Sequence, residues 1–224
     1  MKSSETIALF KSDFSVGKSI LPLERIFDIA ENEVVLVEDS MSGFRAAKKL
    51  SEATGKELRF GLRLETQDQS ESSKLIFFAK DANGVDSLRR IYTKAFTDGG
   101  GVYKLNKKDL NGLQVAVPFY DSYIYKNLFN FGVHDVNLDG LNPWYFEEQN
   151  GHPFDFIISR SIRRLGVQPI KAKSIYYENK EDYPAFCFYK AVCNRAPGRP
   201  ATWEKPNLEH FCSDEFCYES YSDK

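Results

Sequence analysis

The sequence predicts an α/β protein with a mostly parallel sheet. Short apolar, β-rich runs alternate with amphipathic helical segments along the whole chain. No linker, internal repeat or low-complexity block interrupts that alternation. The 224 residues, 42% of them apolar, are enough to bury a core without disulfide or metal staples. With about seven strand–helix units, a closed or nearly closed barrel competes with an open doubly wound sheet. No GxGxxG or GxxxxGKS phosphate loop favours the open nucleotide-binding sheet. The chain reads as one domain over residues 1–224, with residues 195–224 forming a loop and a C-terminal tail.

The elements follow in order. "IALFKSDFSV" alternates and reads as a strand running into a loop. "PLERIFDIAEN" places Leu23, Ile26, Phe27 and Ala30 on one helical face, with Pro22 where a first turn tolerates it. "EVVLVED" is a short apolar run ending in acids, a buried parallel strand. "SGFRAAKKLSEATG" is a helix with Phe44, Ala47 and Leu50 inward and Gly55 past its end. "LRFGLRLE" and "SKLIFFAK" are the third and fourth strands. "DANGVDSLRRIYTKAF" is a helix capped by Asp81 or Asn83. "TDGGGVYKLNKKDLNG" reads as a lysine-rich loop and "LQVAVPF" as the fifth strand. "DSYIYKNLFNFG" is helical, "NPWYFEEQ" a short strand, and "PFDFIISRSIRRLG" a helix ending at Gly166. "VQPIKAKSIYY" is another strand and "KEDYPAFCFYKAVCNR" another helix. "APGRPATWEKPN", with three prolines and a glycine, is a loop.

The totals exclude several classes. A formal charge of −2 argues against a generally basic, nucleic-acid-coating protein, though not against a local basic groove. The 18 Phe and 12 Tyr are first of all core material. No apolar run of about 18 residues occurs, so no membrane span is expected, and the N-terminus does not read as a signal peptide. Cys187, Cys193, Cys212 and Cys217 are then expected as reduced thiols in a cytoplasmic protein.

Beyond the element pattern, "KSDFSVGKSI" looks like an opening His-Ser-Asp-Tyr-Ser segment. "VVLVEDSMSGFRAAKKLSEATGKELRFGLRLE" looks like a strand ending in Thr-Asp-His, a helix, and a strand ending in Gly-x-Glu. "LIFFAKDANGVDSLRRIYTKAF" looks like a Leu-Leu-Ala-Lys-Asn block with its helix. "NPWYFEEQ" and "ISRSIRRLGVQPIKAKSIYYENKEDY" look like a late strand and helix before an Asp-x-His strand. In this order the blocks resemble the PHP (polymerase and histidinol phosphatase) domain of bacterial DNA polymerase III alpha subunits, over residues 7 to about 190. The resemblance implies a distorted (β/α)7, TIM-like barrel with its functional groups at the C-terminal ends of the strands. It also implies a cluster of His, Asp and Glu holding divalent metals that activate water and stabilise phosphoryl oxygens.

Matched position by position, that ligand set is nearly gone. The opening histidines fall on Leu9 and Lys11, and the Asp-His pair on Asp39 and Ser40. The glutamate after the third strand falls on Arg63, and the histidine before the fourth strand on Lys74. The ligand after the fifth strand falls near Phe119, and the final Asp-x-His on Ser174 and Tyr176, or on Ile175 and Tyr177 one residue along. Only Asp39 keeps a metal-ligand type. Lys11, Arg63 and Lys74 bring positive charge where cations would bind, which repels a divalent metal. Two readings follow: a salt-bridge plug in which these cations pair with Asp39, or a pocket for an anion.

Other constellations are weaker. His134, His152 and His210 occupy none of the matched positions and read as surface or loop histidines. His210, Cys212 and Cys217 lack the CxxC spacing that marks a zinc site. Glu147 and Glu148 are adjacent on a strand, so one faces the barrel and the other faces out. Arg160, Arg163 and Arg164 lie near one helical face, read as solvated in preference to a nucleic-acid groove. The tail resembles the segment that leaves such domains towards a polymerase palm, and the expectation is a free-standing domain without a polymerase module. The expectation is a catalytically inactive PHP-like binding or scaffold protein of DNA replication, in a phage-like setting. It would need no cofactor and would bind a protein partner such as a replisome or polymerase component, through aromatic "LNPWYF" or the tail. A metal-dependent phosphoesterase or 3′–5′ exonuclease with a rearranged site, using Mn, Zn or Mg, is the first alternative. A polyanion-binding pocket is the second.

Overall fold

The computed structural model describes residues 6–68, 71–97, 100–129, 136–193 and 213–222. In chain order the elements are β1 (Ile7–Phe10), α1 (Leu23–Ile29), β2 (Glu33–Glu38), α2 (Phe44–Thr54), β3 (Glu57–Asp68) and β4 (Glu71–Ala79). Then come α3 (Ala82–Thr97), β5 (Val102–Lys104), β6 (Leu113–Val117), α4 (Tyr123–Phe129) and β7 (Trp144–Glu148). The last are α5 (Asp155–Arg164), β8 (Ile170–Ile175), α6 (Tyr183–Cys193) and α7 (Glu219–Ser222). The strands run β2-β1-β8-β7-β6-β4-β3, and β2 pairs with β3 to close a seven-stranded barrel. β5 stands outside it, paired with the far half of β3 through Glu65–Gln67.

The closed barrel agrees with the TIM-like expectation, but it is mixed and does not follow a (β/α)7 pattern throughout. β4 is antiparallel to both β3 and β6. The cause is local. Only the two residues 69–70 separate β3 from β4, and a parallel crossover needs roughly a dozen. "GVYK", read as loop, supplies β5. The capping expectations hold where the chain turns into a helix. The Asp81 side chain accepts from the Gly84 amide at 2.8 Å, opening α3. Gly55 closes α2 in the left-handed conformation, at φ 72°.

Strand alternation sorts the apolar residues into two layers. Phe10, Leu36, Phe60, Leu62, Leu75 and Phe77 point outward and pack with Ile26, Phe27, Ala47, Leu88 and Ile91 of the helices. Leu9, Val35, Val37, Ile76, Phe78, Ala116, Phe146 and Ala172 form a separate cluster made of strand residues alone, the barrel interior. Gly61 is the inward residue of β3 at this level, and a Cβ there would lie 2.5 Å from the Phe78 ring. The missing side chain is what lets Phe78 fill the barrel.

The tail is not free. The Tyr176 amide donates to Phe216 and the Tyr218 amide to Tyr177, at 3.0 and 3.1 Å. Phe216 and Cys217 are fully buried. Residues 213–222 therefore return along the end of β8 and pack Phe216 against Tyr120 and Tyr176. Residues 194–212, including Cys212 and His210, lie outside the described residues, as does His134. No described helix is long and apolar enough to cross a membrane.

Candidate functional site at the C-terminal mouth of the barrel

The parallel strands carry Lys11, Asp39, Tyr120, Glu148 and Tyr176 to one end of the barrel. Because β4 is reversed, its beginning arrives there too and brings Lys74, opposite Glu65 of β3. Leu9, Lys11, Arg63, Ser174 and Tyr176 line a cavity at this end together with Ile76, Pro118, Tyr120, Phe146 and Glu148. The cavity measures about 20 Å³, room for roughly one water.

Two ion-pair groups fill the mouth. Lys11, only 3% exposed, donates to Asp39 at 2.8 Å. Where the sequence suggested Asp39 as the partner of Arg63 and Lys74, their ion pairs run to another acid. Both reach Asp121, Lys74 at 3.1 Å and Arg63 at hydrogen-bond distance. Asp121 is a non-glycine residue in the left-handed region, at φ 62°, a conformation that costs free energy and that Asp tolerates better than most. Its carbonyl also accepts from the Lys74 amide at 3.2 Å. Burial lowers the Lys11 pKa, and the Asp39 charge only partly offsets it. For Asp39 burial acts upward, but the charges of Lys11, Arg63 and Lys74 outweigh it and hold the carboxyl below its usual range.

Two further buried acids belong to the walls. Glu38 accepts from the Ser12 amide at 2.8 Å and from the Ser15 hydroxyl. The Asp39 amide in turn donates to the Ser15 oxygen at 3.1 Å. These bonds hold the "SDFSV" turn in shape. Glu148 accepts from the Ser174 amide and hydroxyl at 2.8 and 2.9 Å and from Asn150 at 2.7 Å. Burial pushes both carboxyl groups up. Glu147 faces outward to Arg163 at 2.8 Å, so the adjacent glutamates take opposite faces as expected.

Glu148→Gln is expected to fold and to gain about 1 kcal/mol at pH 7, since its oxygen and amide can satisfy the same three partners without a buried charge. The sign follows from the raised folded pKa. The cost of the charge is fully present above that pKa and vanishes below the ordinary glutamate range. Urea midpoints of parent and variant should therefore differ at pH 7 and converge near pH 4. A variant less stable at pH 7 would show that the carboxylate itself is required.

The remaining matched positions fall elsewhere. Ser40 lies half-buried outside the cavity lining and bonds Ser42 at 3.0 Å. Phe119 points into the outer core; its neighbours Pro118 and Tyr120 line the cavity, because alternation turns every second residue inward. Ile175 and Tyr177, the one-residue shift, also belong to the outer core. His152 lies in the loop between β7 and α5 but is buried there, not at the surface, with its ring beside Tyr120 and Phe154 and its amide bonded to Asp155. The aromatic "LNPWYF" stretch is no exposed patch. Phe146 fills the barrel, and Trp144 packs on Phe78 beneath the Arg59 guanidinium. Asp121, Glu38 and the Tyr120–Asp155 bond, 2.8 Å long, escaped the sequence reading. The signal was there for the first two, acids at or just beyond strand ends.

A di- or trimetal cluster does not fit this donor set. Among the described residues no three His, Cys, Asp or Glu side chains converge to hold a metal. Asp39 and Asp121 are neutralised by cations, while Glu38 and Glu148 point their oxygens at protein donors. No family model and no curated protein matches the chain. Solved structures that match include one assigned as a metal-dependent phosphoesterase from Bifidobacterium adolescentis, at 14% identity and a TM-score of 0.30. That likeness covers 42% of this chain and 36% of the other. An amidohydrolase from Chromobacterium violaceum with bound sulfate and no metal matches at 14% identity and a TM-score of 0.29, over 42% of this chain and 35% of the other. The chain thus spans about a third of the length of each structure it resembles.

Proposed function

We propose that this chain is a non-catalytic binding or scaffold protein, built on a barrel of the PHP type found in DNA polymerase III alpha subunits. One observation carries the reading: Lys11, Asp39, Arg63 and Lys74, which the sequence comparison matches to metal ligands, are engaged in ion pairs, Lys11 with Asp39 and both Arg63 and Lys74 with Asp121. They supply from the protein the positive charge that a metal would otherwise bring. Replication is the setting that the ordered sequence blocks suggest, with a polymerase or replisome component as the partner and the cytoplasm as the compartment.

Elemental analysis of the purified protein, with hydrolysis of bis(p-nitrophenyl) phosphate under millimolar manganese, tests this. The expected result is far less than one metal per chain and no turnover above buffer. Stoichiometric manganese or zinc that is lost, together with turnover, in Asp39→Asn would overturn the proposal and point to a rearranged phosphoesterase.

A further inference from the structure

The outer wall of the barrel carries a second charged feature, remote in chemistry from the mouth. Two depressions meet over β7 and α5, sharing Glu147, Gln149 and Arg163 in their linings. One continues across the solvent side of α5 past Phe156, Arg160 and Arg164. The other continues along β8 past Lys171. Phe156, Arg160, Arg163 and Arg164 stand at helical spacings of four, seven and eight residues, which puts them on one face.

A merely solvated helix face interleaves acids with its bases. Here it does not. The only acid of α5 is Asp155, buried and used up by Tyr120 and the amides of Asn150 and His152. Among the described residues the only acid lining either depression is Glu147, already paired with Arg163. Among the described residues, Arg160, Arg164 and Lys171 make no ion pair or side-chain hydrogen bond. In a chain of net charge −2 this is a local concentration of positive charge. Beside it the Phe156 ring stands 69% exposed.

We infer that this groove binds single-stranded nucleic acid. The arginine forks match phosphate oxygens, and the projecting Phe156 ring offers a face on which a base can stack. An acidic peptide would use the cations but would have no need of the ring. The inference does not depend on the reading of the barrel mouth, so either can fail alone.

Fluorescence anisotropy with a labelled oligothymidylate of about 15 nucleotides, at low salt, is the test. Binding is expected to weaken with a log–log salt slope of roughly −2 to −3, the release from three or four neutralised phosphates. Arg160→Glu/Arg164→Glu should lower affinity at least tenfold, and Phe156→Ala about tenfold, the loss of one stacked base. Melting curves should stay unchanged, because these side chains are exposed. The inference is overturned if the oligonucleotide does not bind at low salt, or if the charge-reversed variant binds it like the parent. It is equally overturned if a poly-glutamate peptide binds as tightly as the oligonucleotide and ignores Phe156→Ala.

Discussion

Asp39→Ala is expected to destabilise the protein by about 3 kcal/mol, a fall in Tm of roughly 6–12 °C for a chain of this size. The cost does not come from the lost contact alone. It comes from stranding the Lys11 ammonium, 3% exposed, beside Leu9 in the barrel wall. Asp39 itself is 34% exposed, which places the effect at the lower end for a broken buried pair. Lys11→Met/Asp39→Ala should recover most of the loss, since methionine fills similar volume without a charge. Acid has the same direction as the single substitution. The Asp39 pKa is lowered in the folded state, so its contribution is present above the ordinary carboxylate range and disappears as pH falls through the folded value. Urea unfolding of the parent, both variants and the pH series measures all of this. If Asp39→Ala melts with the parent, the pair is not what holds the mouth of the barrel.

Asp121→Ala is expected to cost about as much, near 3 kcal/mol, because one carboxylate serves both Arg63 and Lys74. Part of that loss is backbone. Alanine at φ 62° pays a left-handed penalty of about 1 kcal/mol that glycine avoids and asparagine reduces. The expected order of stability is therefore parent, Asn, Gly, Ala. Asn keeps an oxygen for Arg63, Gly keeps only the conformation, and Ala keeps neither. Equal midpoints for Gly and Ala would remove the strain from the account, and a parent-like Ala would remove the ion pairs.

Much of this arrangement could be read before any coordinates. The sequence comparison marks Lys11, Arg63 and Lys74 as cations worth following, and all three stand at the barrel mouth. The opposite facing of Glu147 and Glu148 followed from adjacency on a strand. The antiparallel β4 was also legible in principle, since β3 and β4 lie too close in sequence for a crossover. What could not be read was the choice of partner. Asp39 was the only acid among the matched positions, so it was expected to serve all three cations. Asp121 took two of them because the β6–α4 turn swings its carboxylate over the end of β4, and turn geometry is not written in residue type.

By itself, the sequence determined the period-two strands, the helices and their caps, and the run of cations at Lys11, Arg63 and Lys74. Those are properties of neighbouring residues, set by alternation, propensity and chemistry within a few positions. Tertiary structure decided which way β4 runs around the barrel, which acid meets which cation, and how little space is left between them. It also decided that His152 and Phe216 are buried and Trp144 partly so, while Phe156 stands in solvent. Each of these depends on residues far apart in the chain being packed to close contact, and that packing is a property of the closed barrel as a whole.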